Sequence, residues 1–493
     1  MKKLLVLLLT LLLLCGCSTK KDDKLNIGVL TGTCLDIYIQ MDYPDDNLVY
    51  YDSISDLIQA TKEGKIDYFG YDYDIFDQLL LHEPSLHIYA MLTNTVGYGF
   101  VFNKGQNEKV RQELNEYIGK IKENGHLQEL EDIWFGKDPD LKVIKKRESS
   151  GENGTLEIAG TSIFEPFLFV KNGEYAGFDL AILDGFCYEY GYGYNVVDVN
   201  AAGVLAGVAN NKYDMGMSGF SITEERKKSF DYSDSYHDGK MVLIDIDESK
   251  IEKVGFFEGI ANSFRRSFIE EDRYKLYISG VITTVLITLV SIAFGTLLGY
   301  GLYMLLRTRE KLRKYIFNPL FDFITGIPQV VLLMVFFYII FGSSSISASI
   351  VASIAFSITF AISVFHMIEN GVSAINKGQY DAAITLGYKP KDAFRKIVLP
   401  QAIRFILPPF KGEVVSLIKG TAIVGYISVQ DLSKVSDIVR SRTYEVFFPL
   451  IASAIIYYLL AKLLSFAITL LIDRTNPQNR SEESILEGVK RHD

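Results

Sequence analysis

The sequence predicts a two-part chain, a soluble acidic module followed by an all-α membrane module of five spans. Three observations carry that expectation. The first is charge: the 493 residues sum to −10, but residues 21–250 hold 41 acidic against 21 basic residues, a net of −20, while the first twenty are at +3 and the remainder at +7. The second is apolar patterning. A spanning helix needs about 20 apolar residues. The acidic half has no such run after its N-terminus, and the basic half has several. The third is a basic, amphipathic, soluble-looking stretch, residues 378–400, lodged between hydrophobic spans. The length suits two or three domains, and neither half has the composition of a nucleic-acid binder.

The N-terminus reads as a secretion signal, residues 1–17. Lys2 and Lys3 form a positive start, and Leu4 to Leu14 is an apolar run of eleven residues, too short to span. Leu14-Cys15-Gly16-Cys17 resembles a bacterial lipobox, which implies lipid on Cys17 after cleavage; an uncleaved anchor is the alternative. Either places the acidic half outside the cytoplasm. Cys34 and Cys187 are the other two cysteines, so no disulfide framework is implied.

Five spans are expected at 280–306, 320–341, 346–368, 405–428 and 447–471. Arg307, Arg309, Lys311, Arg313 and Lys314 follow the first and set that loop inside. The segment 378–400 and the tail 476–493 then also lie inside. Lys434, Arg440 and Arg442 fall in the last external loop and run against the charge rule. Residues 251–279 are a connector in which Phe256, Ile260, Phe264 and Phe268 recur every four residues, as in a helix lying in the membrane interface; a solvated connector is the alternative. Lys411, Glu413 and Lys419 put charge into the fourth span. They either line the translocation path or mark a partly interfacial segment.

Four stretches carry a wide resemblance: TGIPQVVLLMVFFY, INKGQYDAAITLG, IVLPQAIR and SLIKGTAIVGYISVQDL. Together they resemble the polar amino-acid permeases of ABC importers, of the histidine/glutamine type, with a MetI-like fold over 280–475. Gly378, Asp381, Ala382, Ala383 and Gly387, followed by Ile397, Leu399 and Pro400, resemble the coupling loop on which a separate ATPase pushes. Asp381 stands where that pattern usually has Glu. Ile324-Thr325-Gly326 lacks the Arg-Gly-Thr that often precedes the span-two proline. Asp381 is expected to favour a helix N-terminus, Ala382 and Ala383 to allow close helix contact, and Gly387 to permit a sharp turn. No G-x-x-x-x-G-K-[ST] phosphate loop occurs in the chain. No cofactor is therefore expected here, and ATP with Mg belongs to a partner ATPase. The chain itself is expected not to be an enzyme. The resemblance also implies a dimer of permease units, taken as a homodimer, in a bacterial plasma membrane with the binding domain on its outer face.

The acidic half, 18–250, resembles the bilobal type II amino-acid-binding proteins, in two pieces. TLEIAGTSIFEPFLF, GEYAGFDLAIL and YDMGMSGFSITEERKKSFDYSDSY, within 155–247, resemble that family's first lobe and crossing strand. LNIGVLTGTCLDIYI, GKIDYFGYDYDIF, YGFVFNKG and NEYIGKIKENGHLQELEDIWFG, within 25–137, resemble its second lobe and the end of the first. The order is reversed. The resemblance implies a circularly permuted α/β binding domain with 138–154 as the new linker; two truncated half-domains are the alternative.

A free amino acid presents a carboxylate and an ammonium, and burying both calls for opposite charges with hydrogen bonds. By the resemblance, Arg226 grips the carboxylate with its two-pronged guanidinium and Ser221 lies at the polar end. Asp72 holds the ammonium, although Asp74 lies close by in the same motif. Phe164 covers the side chain. Thr33 and Cys34 form a turn that meets the carboxylate; Cys34 departs from the common Thr, and a thiol donates weakly. Thr161-Ser162-Ile163 lacks the acid seen in binders of cationic amino acids, which leans toward a neutral polar ligand such as glutamine.

The expected function is the binding and permease subunit of an ABC-type importer for polar amino acids, with membrane lipid, the ATPase and the free amino acid as partners and no nucleic acid. The rival is an amino-acid-gated ion channel of glutamate-receptor type, since 421–426 faintly resembles a potassium filter; Ile427 stands where that filter needs a second glycine. A sensor driving a kinase is a third class, for which the tail after Leu471 is short.

Overall fold

The computed structural model describes residues 24–31, 33–144, 146–250, 255–342, 344 and 346–475. The expected signal with Cys17, and the tail 476–493, lie outside the described residues. The described chain forms two compact units: one holds 24–96 and 239–250, the other 97–238 and 255–475.

The first unit is built on a five-stranded sheet. Its strands are β1 (Asn26–Leu30), β2 (Asn47–Tyr51), β3 (Tyr68–Asp72), most of β4 (Leu86–Tyr98) and, from much later in the chain, β13 (His237–Ile246). The order is β2-β1-β3-β13-β4. β1 runs parallel to both β2 and β3, and β13 is antiparallel to β3. Ile27 and Val29 on one face and Gly28 on the other are all buried, as expected of an inner parallel strand covered on both faces. Gly28 between them admits no side chain, because a Cβ there would stand 2.5 Å from both Ile66 and Leu57. The helix Ile54–Lys62 starts at Ser53, whose hydroxyl accepts the Asp56 amide at 3.1 Å.

The second unit begins with another interleaved sheet. Its strands are β5 (Val101–Asn103), β6 (Thr155–Gly160), β10 (Gly193–Asp198), β11 (Met215–Gly216) and β12 (Phe230–Tyr232), in the order β10-β6-β11-β5-β12. β6 is parallel to β10 and β11, and β5 enters antiparallel to β11 and β12. A small antiparallel sheet of β7 (Ile163–Phe164), β8 (Leu168–Lys171) and β9 (Glu174–Ala176) stands beside it. Gly177 then turns the chain into the helix Phe178–Glu189. Its φ of +147° and the 2.1 Å that a Cβ would leave to the Phe167 carbonyl oxygen require glycine. The stretch expected as a linker is tied down: Ser149 Oγ donates to the Cys187 carbonyl at 2.9 Å and Asn153 Nδ2 to the Tyr190 carbonyl at 2.8 Å, at the end of that helix.

The same unit continues into the apolar helices. Among the described residues, three helices are long and apolar enough to cross a membrane: Tyr274–Leu306, Ala348–Ser373 and Phe447–Asp473. Two bent pairs, Glu310–Gly326 with Gln329–Ile340 and Pro390–Ile427 with Leu432–Thr443, raise the number to as many as five. The first pair turns by 103° at Ile327-Pro328, in the stretch that the sequence predicts as one continuous span. Proline disfavours helix in the residue before it, and Ile327 is extended (φ −81°, ψ 133°). Tyr274–Leu306 packs on Ala348–Ser373 through Gly295 and Gly299, where a Cβ would stand 2.9 Å from the Ser357 carbonyl oxygen and 2.5 Å from that of Ala361. The connector is helical over Phe256–Phe264 and leaves Ile260 and Phe264 exposed. It then ends in a kink at Glu271 and Asp272 (φ 52° and 53°).

Candidate functional site

The predicted ligand residues fall into two sets, one per unit. In the first unit β1 and β3 are neighbouring parallel strands, and Thr33, Cys34 and Asp72 lie just after or at their C-terminal ends. That end is where open parallel sheets place ligands. Thr33 closes a tight turn, donating its hydroxyl to the Leu30 carbonyl at 2.8 Å. Cys34 is buried at the start of the helix Leu35–Asp42, and its carbonyl accepts the Ile37 amide. A buried thiol at that place packs as a small apolar group. Asp72 is also buried.

In the second unit lie Phe164, Ser221 and Arg226, on the segments of chain that follow β6 and β11. The chain leaves β6 into the loop bearing Phe164, and leaves β11 into a turn at Ser218 and Gly219, both at positive φ. Asp179 shapes that turn. Its fully buried carboxylate accepts the Ser218 amide at 2.7 Å and the Gly219 amide at 2.9 Å. Burial pushes its pKa up to about 6, against the pull of those two amides. Gly219 lies against the aromatic loop, a Cβ there reaching within 3.0 Å of the Phe164 ring. Phe164 itself stacks on Phe167 at 5.3 Å and 11°. Arg226 sits in the short helix Glu224–Lys227, whose capping Thr223 hydroxyl accepts the Arg226 amide; the guanidinium reaches back to the Ser221 carbonyl at 3.4 Å.

The coupling segment folds as a short helix, Lys377–Thr385, carrying Gly378, Asp381, Ala382 and Ala383. Asp381 is in its second turn, so the expectation that it favours the N-terminus is corrected. Asn376 does that work, its side chain accepting the Gly378 amide at 2.8 Å. Ala383 is buried and Ala382 exposed, so only one of the two serves close packing. Gly387, at φ +87°, ends the helix, with its amide on the Ile384 carbonyl. Beside it Leu386 is 79% exposed and Ile384 and Tyr388 are exposed too, an apolar patch on a polar segment.

Two of the three charges of the fourth expected span are also bonded. Glu413 accepts the Ser363 hydroxyl at 2.8 Å, and Lys411 donates to Thr469 Oγ1 at 2.8 Å. The three cations that run against the charge rule each have a carboxylate. Lys434 pairs with Asp198 at 3.3 Å, Arg440 with Asp437 at 3.5 Å, and Arg442 with Glu165 and, at 2.7 Å, with Glu271. The sequence did not mark Asp198 and Glu165 as carboxylate partners of these cations. Their partners lie well over two hundred residues away, and no sequence period marks such a pairing.

Residues 291–476 match the family described as binding-protein-dependent transport system inner membrane component. A putative glutamine transport system permease protein GlnP of Rickettsia felis is 28% identical over 38% of this chain and 88% of its own length. A probable glutamine ABC transporter permease protein GlnM of Bacillus subtilis is 27% identical over 41% of this chain and 94% of its own. A crystal structure of an amino acid ABC transporter with histidines aligns at a TM-score of 0.39 and 29% identity, over 45% of this chain and all of that one. These relatives are transport permeases, not enzymes. Residues 291–476 are thus similar to the permease components of binding-protein-dependent importers.

Proposed function

We propose that the chain joins the substrate-binding and permease functions of an importer for polar amino acids, driven by a separate ATPase. The exposed Ile384–Leu386–Tyr388 patch around the Gly387 turn, in a domain of the permease family, carries the reading: it is an apolar surface on a segment otherwise rich in charge. The ATPase is assigned to it, and the segment to the cytoplasmic side, with the binding domain outside and two permease units per assembly.

The N-terminal α/β domain is the binding module, in circularly permuted order. Two features support this. β5, from the first stretch, lies inside a sheet otherwise made from the second, and β13, from the second, lies inside the sheet of the first. Two truncated half-domains would have no reason to exchange inner strands. In the proposed chemistry Arg226 takes the α-carboxylate with Ser221 nearby, Asp72 takes the ammonium, Thr33 and Cys34 supply turn amides, and Phe164 covers the side chain. The glutamine permeases among its relatives, and a Phe164 loop without an acid at 161–163, favour a neutral polar amino acid.

The test is reconstitution of the full chain with its ATPase in vesicles. Uptake of labelled L-glutamine that requires ATP supports the reading. Ion current on amino-acid addition without ATP overturns it.

A further inference from the structure

The loop that carries Phe164 is held from the permease side, directly at Ile163 and Glu165 and, through Asp198, at Ser162. Ser162 donates its amide to Asp198 Oδ1 at 3.0 Å and its hydroxyl to Oδ2 at 2.6 Å, and Asp198 is paired at 3.3 Å with Lys434 of the helix Leu432–Thr443. Both members of that pair are buried, at 3% and 6% exposure. The Ile163 carbonyl accepts the Ser441 hydroxyl. Glu165 pairs with Arg442, whose guanidinium also lies 4.7 Å over the Phe169 ring. Phe164 is thus bracketed by residues whose backbone or side chains are fixed by one permease helix.

That helix is in turn bound to the long apolar helices. Asp431 caps it by accepting the Lys434 amide at 3.0 Å, and its other oxygen accepts the Tyr457 hydroxyl at 2.8 Å. The Leu432 amide donates to Thr284 Oγ1 at 3.3 Å. Arg442 ties in the connector as well, through Glu271, whose left-handed backbone aims it there. Away from this cluster, Lys212 donates to the Phe341 carbonyl at 3.2 Å and lies 4.2 Å over the Phe337 ring, and Gln430 donates to the Tyr175 hydroxyl at 3.0 Å. The lobe 97–238 therefore rests on the permease over several separated points within one unit. Being covalently attached, it returns at an effective concentration of order mM if it leaves.

We propose that this lobe stays seated on its own permease, and that Lys434, Ser441 and Arg442 are positioning residues that set ligand affinity by fixing the 161–165 loop. The proposal rests on the reading of Phe164 as a ligand residue. Its consequence is reciprocal: if the tilt of Leu432–Thr443 changes the loop, occupancy of the loop biases the tilt by the same free energy. The permease would then sense its cargo through the aromatic loop itself.

The test uses the full chain in lipid nanodiscs, as wild type, Lys434→Met/Arg442→Met, Ser441→Ala and Lys434→Arg. Two quantities are read: hydrogen exchange of the 160–166 amides without ligand, and affinity for L-glutamine, L-glutamate, L-histidine and L-arginine, each titrated alone. The double variant is expected to exchange at 160–166 at least about tenfold faster and to bind at least about tenfold more weakly, the scale of a partly broken buried ion-pair set. Ser441→Ala, which removes one hydroxyl, moves both quantities in the same direction by less and covers the case in which the double variant misfolds. Lys434→Arg keeps the charge and stays near wild type. Unchanged exchange in the variants overturns the proposal, as does unchanged affinity when the wild type binds. A wild type that binds none of the four removes the ligand reading, and the exchange measurement alone then decides whether the permease holds the loop.

Discussion

The carboxylate of Asp179 accepts the backbone amide of Ser218 at 2.7 Å, tying the first turn of one helix to the loop that leads into Ser221. The two amides it holds are its compensation for complete burial, and burial still dominates, with a pKa near 6. The sign follows. An unfolded aspartate ionises near pH 4, so between about pH 4 and about pH 6 the folded chain binds more protons and loses stability as pH rises. The contribution is on the order of 2–3 kcal/mol for a shift of this size. Asp179→Asn removes the titration. The thermal midpoint of wild type minus that of the variant should fall between pH 4 and pH 6.5, and a flat difference would refute the assignment.

On the proposed reading, cargo recognition depends most on Arg226. Arg226→Ala should weaken amino-acid binding at least about a hundredfold, since it leaves a carboxylate without its cation. Arg226→Lys should fall between, because an ammonium lacks the planar fork. Thermal shift of the full chain with each amino acid reads both. A retained shift in Arg226→Ala would move the site elsewhere.

The exposed Leu386 offers a test of the proposed ATPase surface that is independent of cargo. Leu386→Asp places a charge in the apolar patch beside Gly387 without touching a buried residue. Co-purification of the ATPase with the permease should drop sharply, while the midpoint of the chain alone stays within about 0.5 kcal/mol equivalent of wild type. Unaltered co-purification would remove the patch from the interface.

Gly299 tests the membrane core. Its Cβ would come within 2.5 Å of the Ala361 carbonyl oxygen, a backbone atom that cannot swing aside. Gly299→Ala should therefore destabilise by about 1–3 kcal/mol, the range for overpacking, read as a lower detergent-unfolding midpoint. Gly301→Ala, where nothing lies within 4 Å, is the matched control and should be near neutral.

Much of the membrane half was legible because its signals are local. Apolar length marks the three long helices, and the Gly387 turn follows from a glycine at the end of a short helix. The break at Ile327-Pro328 was also written in the chain, as an X-Pro step, but apolar content on both sides masked it as one span. Asn376 was overlooked as a cap because Asp381 carried the motif. The contacts of Lys434 and Arg442 had no local signal: each cation looked like an exception to a charge rule until its distant carboxylate was seen. The residues proposed for the ligand, Thr33, Cys34 and Asp72 in one unit and Phe164, Ser221 and Arg226 in the other, were named from a family resemblance, and the turn that Asp179 builds before Ser221 was not legible, because amide acceptance by a buried carboxylate leaves no spacing to read.

The placement of β13 has a consequence for biogenesis. A ribosome releases β1, β2, β3 and β4 first, yet the strand that belongs between β3 and β4 begins only at His237. Until then β3 offers an open edge, the kind of surface that pairs with the wrong neighbour. The first-made portion must therefore wait for a strand delivered after most of the other α/β lobe has emerged. Synthesis and folding of the N-terminal domain are coupled events, and a nascent chain arrested before residue 237 should be a substrate for chaperones or proteases rather than a folded intermediate.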